Sequence, residues 1–286
     1  MSKFAPKQVL CPVDLSPASN AVLSWARLIA EGFGSSVEVL HADWWEPPRY
    51  FTEGQLSALN SEATLRRQAL ERDLQDLAQK VLGPGISFTV SVVEGHAVDV
   101  MLQRLRKDPP DLVVMGSHGR GGVARLLLGS VAENVVRETQ CPTLIVRGPE
   151  IPVGQRQLHR VLCPVNLTDT ARECAELASG VAAALGADLR VLQTVEGRTP
   201  HSDTTREHLC QWVPEDVRTR CRVSEIVLKG DAAEQIILSA RREKVDLIVL
   251  GAEHRSFLEF STLGRTTERV LRHGPSSILL VPRDIG

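Results

Sequence analysis

The sequence predicts an α/β fold made of two copies of one doubly wound domain, each a five-stranded parallel sheet with helices on both faces. The first observation is an internal repeat, because Val9–Leu40 and Val161–Leu192 align without a gap and both begin VLCPV. The second is that Val92–Gly116 aligns with Val227–Gly251 at an offset that is 17 residues shorter. The third is that short β-branched runs alternate with segments of helical period. Two repeats of this length indicate duplicated domains and not a solenoid.

The elements of the first copy follow one another as strand, helix and strand. Five apolar runs predict strands at Val9–Val13, Val37–Leu40, Phe88–Val93, Leu112–Met115 and Thr143–Val146. Helical spacing predicts a first helix through Val22, Ala26, Ile29 and Phe33, ended by Gly34, and a second through Leu70, Leu74, Leu77 and Val81. Further helices are predicted at Ala97–Leu105 and Ser130–Glu138. In the second copy the missing 17 residues shorten the second helix.

Length and composition predict two soluble domains. The 286 residues suit domains at 1–147 and 158–286, with the Pro- and Gly-containing segment 148–157 as a linker. The 33 basic and 35 acidic residues leave a net charge of −2, which favours neither nucleic acid nor a membrane as a partner. Apolar runs of about six residues are too short to span a bilayer, and no signal-length apolar region opens the chain. Six cysteines without a CxxC pair suit a reducing cytoplasm.

A glycine-rich segment, Gly116–Glu133, lies between the fourth strand and the next helix. Ligands of open α/β sheets bind beyond the carboxyl ends of the strands, which is where this segment falls. Its glycines let backbone amides approach a ligand, and Ser130 with Glu133 fits a capping box, so the helix start is a potential anion site. The alternative is that the segment only turns the chain. The segment also matches the dinucleotide-binding fingerprint, but it follows the fourth strand, whereas that fingerprint belongs in the first βαβ unit of a domain. The sequence contains no P-loop motif.

The spacing Gly116-x2-Gly119-x9-Gly129-Ser130 is similar to the ATP-binding signature of the universal stress protein family. Two further landmarks of the family are present: the acid in Pro12-Val13-Asp14 after the first strand, and Leu40-His41 closing the second. The run CPTLIV near the end of the copy is a third. The chain resembles the tandem members of that family over nearly its whole length.

This resemblance implies a strand order of 3-2-1-4-5 and one ATP per chain, with Mg²⁺ or Mn²⁺, across the carboxyl ends of the first copy's strands. By the same resemblance Asp14, Val13 and Ala42 would border the adenosine, and Gly129 and Ser130 would hold the phosphates. The nucleotide-binding residues that it implies are Pro12, Val13, Asp14, Ala42, Met115, Gly116, His118, Gly119, Gly129, Ser130, Val131 and Ala132.

The second copy departs from the signature. Its aligned segment reads Gly251-x2-His254-x9-Gly264-Arg265, and Asn166 replaces Asp14. A histidine in place of the second glycine adds about 1–3 kcal/mol of backbone strain if φ must be positive there. Losing the serine hydroxyl removes about 1.5–3 kcal/mol of hydrogen bonding to the phosphate. We therefore expect the second copy not to bind ATP and its pocket to be partly filled by its own side chains. The alternative is that His254 and Arg265 supply charge for another anion.

The last strand of each copy predicts how the copies pack. Thr143–Val146 and Ile278–Val281 are apolar edge strands, and two unpaired edges in one chain can cover each other. We expect antiparallel pairing, an intramolecular pseudo-dimer, with a further homodimer possible. Trp44 and Trp45, which only the first copy has, either line the adenine side of the pocket or pack under the following proline loop.

Three functions remain open. The chain is an ATP-binding protein that regulates or protects in a stress response, a nucleotide-free scaffold or signalling protein with vestigial pockets, or a slow adenine-nucleotide hydrolase. No general base lies in the glycine segment, so no catalytic residue is predicted, and at most slow hydrolysis is expected. His201, His208, Cys210 and Cys221 fit no zinc spacing, so no protein-held metal is predicted. Cys11 and Cys163 are equivalent and are predicted to be inert buried thiols.

Overall fold

Parallel strands and the helices between them build both copies. The computed structural model describes residues 4–45, 53–118, 128–152, 154, 158–195, 203–252, 254–257 and 260–282. The strands of the first copy are β1 (Gln8–Pro12), β2 (Ser36–Asp43), β3 (Phe88–Glu94), β4 (Leu112–Gly116) and β5 (Thr143–Val146). Its helices are α1 (Ala18–Phe33), α2 (Glu53–Leu82), α3 (Ala97–Lys107) and α4 (Ser130–Glu138).

The second copy repeats this order with two changes. Its strands are β6 (Arg160–Val165), β7 (Asp188–Val195), β8 (Val223–Lys229), β9 (Leu247–Ala252), β10 (His254–Phe257), β11 (Phe260–Leu263) and β12 (Ser277–Pro282). Its helices are α5 (Asp169–Ala184), α6 (Asp203–Trp212), α7 (Glu215–Arg220), α8 (Ala232–Arg242) and α9 (Arg265–His273). The expected shortening of the second helix is confirmed, because α6 and α7 have 10 and 6 residues where α2 has 30.

The second change is a β-hairpin, β10–β11, where the first copy has its glycine segment. This hairpin was not predicted, although the predicted order of the five strands holds in the second copy. The physical reason is composition: between Gly251 and Gly264 the sequence has no glycine and contains Phe257, Phe260 and Thr262, residue types that favour strands.

Ten strands form one sheet in the order β3-β2-β1-β4-β5-β12-β9-β6-β7-β8, so each copy contributes five strands in the order 3-2-1-4-5. Within each copy all the pairings in this sheet are parallel. Helices α1, α2, α5, α6 and α7 pack on one face and α3, α4, α8 and α9 on the other. Along β1, Val9 and Cys11 belong to the first core cluster and Leu10 to the second. The predicted α/β fold with helices on both faces is therefore confirmed.

The two copies meet at β5 and β12, which pair antiparallel with Ile145 opposite Ile278 and Leu144 opposite Leu279. The predicted pairing of the two edge strands is thus present. The segment after β5 is tied to α1, because the buried Arg27 guanidinium donates to the carbonyl oxygens of Ile151 and Pro152, both at 2.9 Å. In the described part of the chain, no helix combines the length and the apolar character needed to cross a bilayer.

Candidate functional site

A cavity of about 570 Å³ opens at the carboxyl ends of β1, β2 and β4 in the first copy. Its volume falls within the range of small-molecule sites, about 300–1,000 Å³. Eleven of the twelve residues that the sequence singles out line it: Pro12, Val13, Asp14, Ala42, Met115, Gly116, His118, Gly129, Ser130, Val131 and Ala132. Gly119, the twelfth, lies outside the described residues. These residues come from four separate stretches of the chain, and the sheet brings them together.

The sequence analysis missed nine further residues that line the cavity, most of them on the first turns of α1 and α3 or at the end of β2. They are Ala18, Ser19, Val22, Leu40, His41, Ala97, Val100, Met101 and Leu128. A signal for most of them was present, because helices that follow β1 and β3 must begin at the same edge of the sheet as the glycine segment. Most of them are apolar, so much of the cavity lining is apolar.

The turn after β1 holds Asp14 in place. The Oδ1 atom of Asp14 accepts hydrogen bonds from the Ser16 amide at 3.0 Å and from the Ser19 hydroxyl at 3.1 Å. Between them Leu15 has φ of 59°, a left-handed conformation that costs a non-glycine residue about 1–2 kcal/mol. The equivalent Leu167 of the second copy has φ of 60°, so this turn belongs to the backbone that both copies share, and in the first copy it carries the cavity-lining Asp14.

His41 closes the other side of this turn. Its Nδ1 atom lies 2.8 Å from the Val13 carbonyl oxygen, and the Val13 amide donates to the Leu40 carbonyl oxygen at 2.9 Å. A carbonyl oxygen only accepts hydrogen bonds, so Nδ1 of His41 carries a proton. The ends of β1 and β2 are therefore held in fixed register where they line the cavity.

The start of α4 forms the opposite end of the cavity. Gly129 is the N-cap residue, with φ of −65° and ψ of 152°, and its amide donates to the Ser117 carbonyl oxygen at 2.8 Å, which closes the base of the glycine segment. The predicted capping box was wrong: Ser130 is the first helical residue and no side chain caps the helix. Glu133 instead pairs with Arg137 at 2.9 Å, one turn along the same helix.

This arrangement leaves anion-binding groups facing the cavity. The first amides of a helix have no partner within it, and those of Ser130, Val131 and Ala132 belong to cavity-lining residues. The Ser130 side chain is exposed and does not serve as a cap. With the helix dipole, these donors favour a negatively charged group at this end.

His118 adds a further polar group beside the same end. Its Nδ1 atom lies 2.9 Å from the Ser117 hydroxyl, and its buried Nε2 atom has no partner among the described residues. Gly116 lies against the same backbone, because a Cβ there would come within 3.1 Å of the His118 carbonyl oxygen. A buried nitrogen without a partner costs free energy unless a water or a ligand meets it.

The corresponding positions of the second copy make different contacts. Asn166 Oδ1 accepts from the Thr168 hydroxyl at 2.7 Å, and Thr168 in turn caps α5. Arg265 is the first residue of α9, and the backbone of His254 pairs with Leu263 in the hairpin. The expectation that side chains fill the second pocket stays a prediction, because the side chains of 253–262 lie outside the described residues.

An ion pair joins α8 to α9 in the second copy. Asp231, the N-cap residue of α8, accepts from Arg269 at 2.7 and 2.8 Å. The pKa of Asp231 is lowered by its hydrogen bond from the Glu234 amide and then by Arg269 and Arg265. In the first copy, residues at the start of the corresponding helices, α3 and α4, line the cavity.

The two neighbouring tryptophans of the first copy have different surroundings. Trp44 stacks on His96, with ring centroids 3.5 Å apart and an interplanar angle of 22°. Trp45 lines a separate small cavity of about 50 Å³ near Arg66 and Arg67. The proline loop under which they were expected to pack lies outside the described residues.

Comparisons with known proteins agree with this architecture. The model of the universal stress protein family matches residues 6–147 and 214–282. A universal stress protein of Mycobacterium tuberculosis is 24% identical over 313 aligned positions, which cover 96% of each chain. One from Thermus aquaticus is 33% identical over 148 residues, 49% of this chain and 98% of that protein. The crystal structure of a universal stress protein from Archaeoglobus fulgidus covers 98% of this chain and 100% of its own, with a TM-score of 0.72 and 20% identity. With both copies matched by the family model, the chain belongs to the universal stress protein family.

Proposed function

We propose that this protein binds one ATP per chain in the cavity of the first copy and acts as a nucleotide-responsive regulatory or protective protein. The observation that carries the proposal is the cavity itself, which the described part of the ATP signature and the acid after β1 line together. We also propose the two domains at 1–147 and 158–286 that the repeat predicts, the first competent for ATP and the second not.

The two ends of the cavity suit the two ends of a nucleotide. The start of α4 presents amides and the Ser130 hydroxyl, which favour phosphate. The opposite end, with Asp14, Ala42 and Val100, is acidic at one point and otherwise apolar, which suits a ribose hydroxyl and a base. A carboxylate at this end also disfavours the reverse orientation, because it repels phosphate.

A divalent cation is expected on the phosphates and not in a site of its own. Among the described residues, no group of three or more His, Cys, Asp or Glu side chains is arranged to hold a metal ion. Mg²⁺ commonly keeps several waters and binds through substrate phosphates, which fits a site whose protein donors are amides and a hydroxyl.

Calorimetric titration of the full chain with ATP and Mg²⁺ tests the proposal. We expect one site per chain. The variant Gly119→His gives the first copy the residue that the second copy has, and it should abolish binding. Arg265→Ala, at the position equivalent to Ser130, is the matched control and should bind as the wild type does. Two equivalent sites, no binding, or unchanged affinity in Gly119→His would overturn the proposal; no binding by the wild type would favour a nucleotide-free scaffold.

A further inference from the structure

The backbone forms the same corner in both copies where the second strand ends and the third helix begins. In the first copy the Gly95 amide donates to the Asp43 carbonyl oxygen at 3.1 Å, and in the second the Gly230 amide donates to that of Val195 at 3.1 Å. Both glycines have positive φ, 143° and 128°, which few other residues adopt. The corner is therefore a shared scaffold, and only its side chains differ.

The residues at this corner are aromatic in the first copy, and the sequence has acidic residues at the aligned positions of the second. In the first copy they are Trp44 and His96, stacked at 3.5 Å. At the aligned positions of the second copy the sequence has Glu196 and Asp231. Asp231 is used there for the ion pair with Arg269 between α8 and α9. The aromatic pair thus occurs in the copy that has the cavity and the ATP signature.

The Trp44–His96 pair lies next to the end of the cavity that is farther from the hydrogen-bond donors at the start of α4. Ala42, two residues before Trp44, and Ala97, directly after His96, both line the cavity. Ser130 and its amides lie at the opposite end, at the start of α4. Neither Trp44 nor His96 is itself among the residues that line the cavity, so the pair lies outside it, next to the lining residues Ala42 and Ala97 and on the side away from α4.

Among the described residues, Trp44 keeps much of its indole exposed to solvent. One face of its indole is covered by His96, yet its exposed fraction is 51%, high for a tryptophan. Aromatic rings prefer offset stacking, and the faces of nucleobases stack on indole irrespective of their hydrogen-bonding groups. His96 packs on one face of the indole and restricts its rotation. This lowers the conformational entropy that the indole would lose when a ligand stacks on its other face.

We propose that Trp44, supported by His96, is the stacking surface for the base of the nucleotide in the first copy. This rests on the proposed ATP binding at the neighbouring cavity. The ring that it recognises is a heteroaromatic base, and the second copy has no aromatic residue at either aligned position.

The affinity for ATP tests the proposal by calorimetry on the full chain. Trp44→Ala should weaken ATP binding about fivefold, the lower end of what base–aromatic stacking contributes. Trp44→Phe should keep most of the affinity, because it retains a ring. His96→Asp, which introduces the residue of the second copy, should weaken binding less than Trp44→Ala does. Trp45→Phe, one residue away and in the other cavity, is the matched control and should have no effect.

Tryptophan fluorescence supplies a second readout that a purely structural role would not change. ATP should quench the emission of the wild type and of Trp45→Phe, and the quenching should disappear in Trp44→Phe. Unchanged affinity in Trp44→Ala, or quenching that persists in Trp44→Phe, would overturn this proposal alone. Absence of ATP binding by the wild type would overturn the proposed function and this inference together, so the two failures are distinguishable.

Discussion

The Arg147 guanidinium donates a hydrogen bond of 2.6 Å to the Gly274 carbonyl oxygen, so a residue of the first copy caps the last helix of the second. It also donates to the Leu271 carbonyl oxygen. The Arg147 backbone is bound as well, because its amide donates to the Ser277 hydroxyl at 3.0 Å. These bonds lie beside the β5–β12 pairing, and together they join the two copies into one sheet.

Replacing Arg147 by methionine is expected to lower the free energy of unfolding by about 2 kcal/mol, because two helix-end carbonyl oxygens lose their donor at a half-buried position. Equilibrium unfolding in urea measures the change. Arg272→Met is the control: among the described residues Arg272 pairs with Glu268 of the same helix, at 2.8 Å and with both side chains partly exposed, and its loss should cost less than about 0.5 kcal/mol. Equal effects of the two substitutions would contradict the capping role of Arg147.

Thiol labelling should distinguish the cysteines by burial. Cys11, Cys141, Cys163 and Cys174 are buried, and burial raises the pKa of Cys141 to about 12. Burial, followed by the Asp188 carboxylate, raises the pKa of Cys221 from 9.0 to about 11, which lowers its thiolate fraction at pH 8 about hundredfold.

The partly exposed Cys210 is therefore expected to react first with a disulfide reagent at pH 8, as a single fast phase. The control is Cys210→Ser, which should remove that phase and leave the slow ones. Raising the pH should accelerate Cys221 because more of its thiolate forms as the pH approaches its pKa. Fast labelling of Cys141 or Cys163 in the native protein would show that the core opens readily.

The second copy is expected to gain weak ATP binding from the double change His254→Gly with Arg265→Ser. These substitutions restore the glycine and the hydroxyl of the signature, while Asn166 remains. The test uses a Gly119→His background, in which the first copy should not bind ATP. There, ATP at a concentration equal to the dissociation constant of the restored second site would stabilise the protein by about 0.4 kcal/mol. Thermal unfolding with and without millimolar ATP measures this.

The background variant alone is the control and should show no stabilisation. If the triple variant also shows none, the second pocket has diverged beyond its signature. The hairpin that pairs His254 with Leu263 and the ion pair between Asp231 and Arg269 would then be the elements that close it.

Much of the fold could be predicted from local patterns. The helix Ser130–Glu138 begins and ends at the predicted residues, and Gly34 ends α1 in a left-handed conformation, with φ of 71°. Such features depend on residues close together in the chain, so periodicity and glycine positions reveal them. The predicted capping box was wrong although it too is local: Gly129 and not Ser130 is the N-cap residue, and Glu133 pairs with Arg137 one turn along the same helix.

By itself the sequence determined the duplication, the alternation of strands and helices, and the chemistry of the glycine segment, because each of these is encoded by residue types at short spacing. Only the tertiary structure decided which residues meet at the cavity, because β1, β2 and β4 become neighbours only through crossover connections. It also decided that Trp44 rests on His96, 52 positions further along the chain, and that Arg147 caps a helix of the other copy. Contacts of this kind depend on packing across the sheet, which no local pattern in the chain records.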